Sequence, residues 1–141
     1  MPCKECAMEW ILWDETMNTG HAGLDEDHRK LVALINRLAD GLTNHKGAAF
    51  CRDAFGQLVE HVQQHFAMEE RLMAEHGYLD AERHKAHHAT LFEEVRVLSD
   101  AIEAIGAGAS PSVSLLDFLE VWLKHHIDGL DRSLAAAIPG S

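Results

Sequence analysis

Apolar residues recur at alternating steps of four and three through four stretches of the chain, the spacing of one buried helix face. In the first, roughly 24–42, Leu24, His28, Leu31, Ile35, Leu38 and Leu42 form the seam, and Asp25 to Asp27 put acid in the first turn, where the helix dipole favours it. The second, about 48–76, carries Ala54, Leu58, His61, His65, Glu69 and Leu72. Gly77 is its candidate C-cap, and Asp80 a candidate N-cap for the next segment. The third, about 81–105, repeats the rhythm with His84, His88, Leu91, Val95, Leu98, Ile102 and Ile105, then breaks at Gly106-Ala107-Gly108. Ser110-Pro111 supplies an N-cap and a proline at the first helical position of the fourth, about 112–134, whose stripe is Leu115, Leu119, Trp122, His126 and Leu130. Pro139 stops anything further.

No run alternates with period two, so no sheet is expected. Short connections between long helices predict an all-α fold, an antiparallel up-down-up-down four-helix bundle. Residues 1–23, with Trp10 and Trp13, are expected as an irregular arm packed across it. The 141 residues fit one domain with a core of useful size.

The unusual positions are polar ones on the apolar seams. His61, His65 and Glu69 follow one another on the second stripe, which is costly unless they are paired or hold a metal. His65 with Glu69, and His84 with His88, are four apart, so each pair offers two donor atoms to one point inside the bundle. His28 and His126 add single imidazoles, and Asp131 a carboxylate five residues after His126. Five steps turn an ideal helix by about 140°, so Asp131 needs a displaced position or a locally widened helix. If the helices alternate in direction, all seven residues meet at one end of the bundle. Imidazole nitrogen with carboxylate oxygen suits first-row metals such as iron, manganese or zinc. Seven ligands exceed one tetrahedral ion and match two ions that share bridging carboxylates.

Other histidines read differently. His87 and His125 adjoin candidate ligands and should point about 100° away, toward solvent. His61 faces inward one turn before His65, as a neighbour of the ligands, a core residue or a replacement ligand. His21, His45 and His76 belong to loops or helix ends, and Glu70 to the solvent side.

Charge and cysteines narrow the setting. Twelve basic residues against 23 acidic give a net charge of −11, which argues against nucleic acid and anionic membrane surfaces. No stretch reaches transmembrane length, and the first residues lack the apolar core of a signal peptide, so the cytoplasm is expected. Three cysteines suit a reducing compartment. Cys3 and Cys6 form a lone C-x2-C with no second ligand pair nearby, read as a frayed terminus, with a redox or metal role as the alternative.

The ordered set of one His, then H-x3-E, H-x3-H and H-x4-D resembles the hemerythrin family, in particular its bacterial single-domain members. Here it stands as His28, His65 to Glu69, His84 to His88, and His126 to Asp131, with Trp13-Asp14, Leu24 to His28, Glu69-Glu70 and Trp122 in agreement. The likeness runs from about Trp10 to Asp131. It implies a non-haem di-iron centre that binds O2 reversibly. It allots His84, His88 and His126 to one iron and His28 and His65 to the other, bridged by Glu69, Asp131 and an oxo or hydroxo group. Leu31, Leu119, Trp122 and Leu123 are candidates for the apolar lining that keeps water from the bound O2. His61 departs from the pattern, standing where an aromatic such as Tyr is expected, and Leu79 where relatives often carry Pro.

The expected function is therefore O2 storage, delivery or scavenging, not an enzymatic one. Alternatives are an O2, NO or redox sensor acting through a separate partner, or a di-iron oxidase or peroxidase. The E-x-x-H pairs of ferritin-like oxidases do not occur here. A zinc-filled or structural bundle is the last alternative. No protein partner is identified by the sequence.

Overall fold

In the computed structural model, residues 10–106 and 113–138 are described. They form an all-α bundle, and among them no strand occurs. Its elements are α1 (Ala22–Thr43), α2 (Ala48–Glu75), α3 (Ala81–Arg96), α4 (Leu98–Gly106), α5 (Val113–His126), a π-helical turn (Ile127–Asp131) and α6 (Arg132–Ala137). Cys3, Cys6, the Ser110-Pro111 start signal and Pro139 lie outside the described residues, as do the side chains of Ile105 and Leu130.

Polar links between helices fix their relative directions. Arg37 of α1 reaches Asp53 and Gln57 of α2, while Asp27, a few turns earlier, meets His65, further along α2. The two helices are therefore antiparallel. Glu69 and Glu70 near the end of α2 meet His84 and His88 near the start of α3, and Trp122 Nε1 of α5 donates to the Leu91 carbonyl of α3 at 3.0 Å. The expected up-down-up-down order follows.

Helix ends are made locally. The His21 side chain caps α1, its Nδ1 accepting the Leu24 amide at 3.1 Å. Buried Asp25 takes the Thr19 amide and hydroxyl, both at 2.7 Å. Burial raises its pKa, but these bonds and that from the Gly20 amide outweigh it and hold the carboxyl below its usual value. Gly77 at φ 60° ends α2 in the left-handed region, and the Tyr78 amide bonds back to the Met73 carbonyl at 3.0 Å. That is the glycine termination expected from sequence. Asp80 stands at the N-cap of α3 as expected, but its side chain makes no capping bond.

Two segments differ from expectation. The third is broken at Val97 into α3 and α4, where the β-branched residues Val95 and Val97 weaken helix propensity. Leu91, Val95 and Ile102 stay buried across the break. The fourth is continuous only through its π turn, the widening that the His126–Asp131 spacing requires.

The described part of the arm packs as expected. Ile11 is buried, and Asn36 of α1 clamps it: the Ile11 amide donates to Asn36 Oδ1 at 2.7 Å, and Asn36 Nδ2 donates to the Ile11 carbonyl at 2.8 Å. Arg132 of α6 donates to the carbonyls of Thr16 and Asn18, both at 2.7 Å.

A large apolar cluster fills most of the bundle, including Leu31, Ile35, Leu38, Leu58, Val62, Leu119 and Leu123. A second, smaller one closes one end with Leu24, Met73, Leu134, Ala135 and Ile138, flanked by Tyr78. These residues lie one to two turns beyond His28, Glu69 and Asp131, so the polar residues occupy a layer between two apolar plugs. The protein thus spends its end cluster on sealing that layer.

Replacing Asn36 with alanine leaves the buried Ile11 amide and carbonyl without partners. Urea unfolding is expected to show a loss of about 1–3 kcal/mol, with helix content retained. Unchanged stability would mean that the arm adds nothing to the fold.

Candidate metal centre

Seven residues from four helical segments converge at the polar layer: His28 from α1, His65 and Glu69 from α2, His84 and His88 from α3, His126 from α5 and Asp131 from the π turn. All seven are buried, with relative exposures of 2% or less. Every imidazole turns its Nε2 inward. His28 Nε2 lies 2.7 Å from Asp131 Oδ2, and His65 Nε2 lies 2.8 Å from Glu69 Oε2. His84 Nε2 sits between the two acids, 3.1 Å from Glu69 Oε1 and 3.0 Å from Asp131 Oδ1. His88 Nε2 is 2.7 Å from Glu69 Oε1, and His126 Nε2 is 2.7 Å from Asp131 Oδ2.

The donor atoms form two groups, each drawn together within 4.8 Å. One comprises His28, His65 and His126, the other His84 and His88, and both include Glu69 and Asp131. Sharing of both carboxylates between two groups suits two ions. The grouping differs from the allotment that the family resemblance implies, because His126 stands with His28 and His65, its Nε2 being 2.8 Å from that of His65.

Three further observations fit a cation pair. Ligand atoms about 2.1 Å from one ion and at right angles lie about 3 Å apart, and the separations above cluster around that value. The donor set of imidazole and carboxylate is that of first-row metals. Two inward-turned imidazoles also rest on outer carboxylates: His65 Nδ1 contacts Asp27 Oδ2, and His88 Nδ1 lies 3.0 Å from Glu70 Oε2. A carboxylate behind the ring fixes the tautomer and orientation that a metal-binding nitrogen needs.

Without a metal, protons must balance the charge. Burial opposes a charge on His65 and His84, but Glu69 and Asp131, with Asp27 at His65, outweigh it. They raise His65 well above its ordinary value and His84 to about 9. Burial also opposes ionised Asp131, yet His126 and His28 hold it well below the usual carboxylate range. His126 goes the other way, pushed down chiefly by its complete burial.

Asp27 and Glu70 were not distinguishable as site residues by spacing within their own helices, since each adjoins a stronger candidate. Glu70, expected on the solvent side, is partly exposed yet bonded to His88. Phe66 also belongs here, stacked on the His88 ring with centroids 4.0 Å apart. His61 does not enter the ligand groups. It is half-buried behind His65, its Nε2 3.3 Å from the Asp27 carbonyl and 3.5 Å from Asp27 Oδ2, so of the roles considered it fits a neighbour of the ligands. Leu31, Leu119, Trp122 and Leu123 are all buried, and the Trp122 ring stacks on His126 at 5.9 Å. His125 is exposed as expected, but His87 is half-buried rather than solvated. His45 lies in the turn after α1 and His76 caps the end of α2, as expected. Leu79 is almost wholly exposed.

The π turn lets His126 and Asp131 share a face despite their spacing of five. Exposed Asp128, in that turn, pairs with Arg132 at 2.7 Å.

Comparison with known proteins gives a consistent picture. Residues 19–138 match the Hemerythrin HHE cation binding domain. A bacteriohemerythrin of Pseudomonas aeruginosa is 32% identical over 131 residues, covering 93% of this chain and 83% of the relative. A bacteriohemerythrin of Stenotrophomonas maltophilia is 30% identical over 128 residues, 91% of this chain and 81% of the relative. A myohemerythrin of Theromyzon tessulatum is 29% identical over 119 residues, 84% and 86%. A crystal structure of wild-type hemerythrin superposes with a TM-score of 0.78 at 24% identity, covering 91% of this chain and 97% of that one, which shows a shared fold. Among the described residues, no helix is long and apolar enough to cross a membrane.

Two outcomes are expected. Metal loading at about pH 7 should release about two protons, from His65 and His84, because only neutral imidazoles bind metal. Affinity then falls as pH drops. Calorimetry in buffers of different ionisation enthalpy checks this, and uptake without proton release would refute the charge balance. Deleting Asp128 should turn the π turn into ordinary helix with Asp131 four residues after His126, still facing inward. Inserting an alanine after Asp128 instead rotates Asp131 by about 100°. Metal content per chain should persist in the deletion and fall in the insertion; loss in both would show that the wide turn itself is needed.

Proposed function

This chain belongs to the hemerythrin family, and from that premise we propose that it binds O2 reversibly at a carboxylate-bridged, non-haem di-iron centre, for oxygen storage, delivery or scavenging. The observation that carries the reading is the convergence of five imidazole Nε2 atoms on two buried, shared carboxylates. When bound, the irons supply the open coordination and the exchangeable electrons that O2 uptake requires.

In this reading His28, His65, Glu69, His84, His88, His126 and Asp131 hold the metals. Five nitrogens and four carboxylate oxygens do not fill two octahedra, which leaves room for small external ligands. Glu69 and Asp131 neutralise part of the ionic charge in a layer that water does not reach. Asp27 and Glu70 hold the His65 and His88 rings, so that neither turns away when a ligand enters or leaves.

Release of intact O2 requires that protons and water stay away. Leu31 and Leu119 on one side, with Trp122 and Leu123 beside His126, supply apolar walls with essentially no solvent exposure. Trp122 is pinned by its bond to the Leu91 carbonyl, so this wall is rigid. Leu24, Met73 and Leu134 close the other side. Such an enclosure suits a carrier better than an enzyme, which must admit a substrate and a proton supply. NO is similar in size to O2, so the same centre would suit it as a ligand.

Anaerobic loading with ferrous iron, followed by air, tests the reading. A visible absorption that appears with O2 and vanishes when O2 is removed is the expected result. Prompt, irreversible oxidation would overturn the carrier function and favour a sensor or redox enzyme. His88→Ala and Glu69→Ala should each lose stable binding of two irons per chain by metal analysis; full iron content in either would refute the proposed ligand set.

A further inference from the structure

The histidines next to the proposed ligands form a second cluster, on the outer side of the seam between α3 and α5. His87 precedes His88 and His125 precedes His126, and their rings meet edge to face across the two helices with centroids 5.7 Å apart at an interplanar angle of 67°. His125 is exposed and His87 half-buried. His87 Nε2 is fully screened from solvent and has no hydrogen-bond partner, an unusual state for a ring nitrogen.

The separation limits how the two rings can be linked. Imidazole nitrogens lie about 1.1 Å from their ring centroid, so a direct, in-line N–H···N bond of about 2.9 Å puts centroids about 5.1 Å apart. A shared ion with bonds of about 2.1 Å allows centroids up to about 6.4 Å apart. Edge to face at 5.7 Å, the rings do not form the first arrangement, and a turn of the exposed His125 ring would bring the pair within reach of the second. Nearby cations do not compete for the position: Lys85 is engaged by Glu82 at 3.7 Å, and Lys124 by Glu120 at 3.0 Å. The strongly acidic chain also raises the local concentration of cations.

We propose that His87 and His125 form a separate site, half-buried at His87 and open to solvent at His125, for a divalent transition metal of the imidazole-preferring class, Cu2+ above Ni2+ or Zn2+. Two imidazoles supply the protein ligands, one from each helix, and water completes the coordination. The order of metals follows from nitrogen donors in a site without imposed geometry. Occupation of the site cross-links α3 to α5 directly outside the His88–His126 level. It does not depend on O2 chemistry in the bundle.

The test uses the full chain with its buried centre loaded with iron and with Cys3→Ser and Cys6→Ser to remove competing thiols. Cu2+ is titrated by calorimetry, with paramagnetic resonance to count nitrogen ligands and iron analysis in parallel. The expected result is one tight Cu2+ per chain, coordinated by two imidazole nitrogens, with iron content unchanged. His125→Ala, at an exposed position, and His87→Ala should each weaken that equivalent by about 100-fold, the loss of a two-point attachment. His45→Ala, in a turn elsewhere, should leave it intact. The proposal is overturned if the parent shows no tight equivalent, if the equivalent survives His87→Ala or His125→Ala, or if copper enters only by displacing iron.

Discussion

Two carboxylates, Glu69 and Asp131, lie side by side in a bundle layer buried from solvent. Everything around them answers that constraint. A buried carboxylate without compensation costs several kcal/mol, and two together repel each other as well. Five imidazoles can meet the cost in two ways, by taking up protons or by jointly holding metal ions. The raised His65 and His84 record the first solution, and the convergence of Nε2 atoms prepares the second.

The scaffold spends its irregularities on this layer. The π turn occurs where His126 and Asp131 must share a face, while the regular helix of α2 serves Glu69 and His65 at a spacing of four. The capped end of α1 and the left-handed turn at Gly77 bring Leu24, Met73 and Tyr78 over the end of the layer. Asp27 and Glu70 stand at the rim, partly exposed, and hold rings that are wholly or almost wholly buried. Charge is thus graded outward: shared acids at the centre, imidazoles around them, then carboxylates at the edge of solvent.

Legibility followed spacing. The four segments, the bundle and the seven converging residues could be read because each helix repeats its inner face every three or four residues. His28, His65, His84 and His126 all sit on seams made mostly of apolar residues. The pattern failed where a residue acts across helices. Asp27 reads as a dipole-favoured acid of the first turn, and only the antiparallel packing of α1 on α2 brings it to His65. Glu70 reads as the outer member of an acidic pair, yet the rim between α2 and α3 gives it a second neighbour in His88. His61 sits on the expected seam, but the seam drifts through Val62 and Phe66, which leaves His61 half-buried at its edge. The break at Val97 carries neither Pro nor Gly and so had no strong local signal.

By itself the sequence determined the all-α class, the inner stripes and the identity of the residues able to hold metal, because helical periodicity and donor chemistry are local properties. It also required some departure from ideal helix at Asp131, since a spacing of five cannot otherwise face inward. The tertiary structure alone decided that His126 stands with His28 and His65 and that Asp27 and Glu70 back the imidazoles. It alone set the rings of His87 and His125 edge to face across α3 and α5. Those are distances between separate helices, fixed by how apolar faces pack, and no spacing along a single helix encodes them.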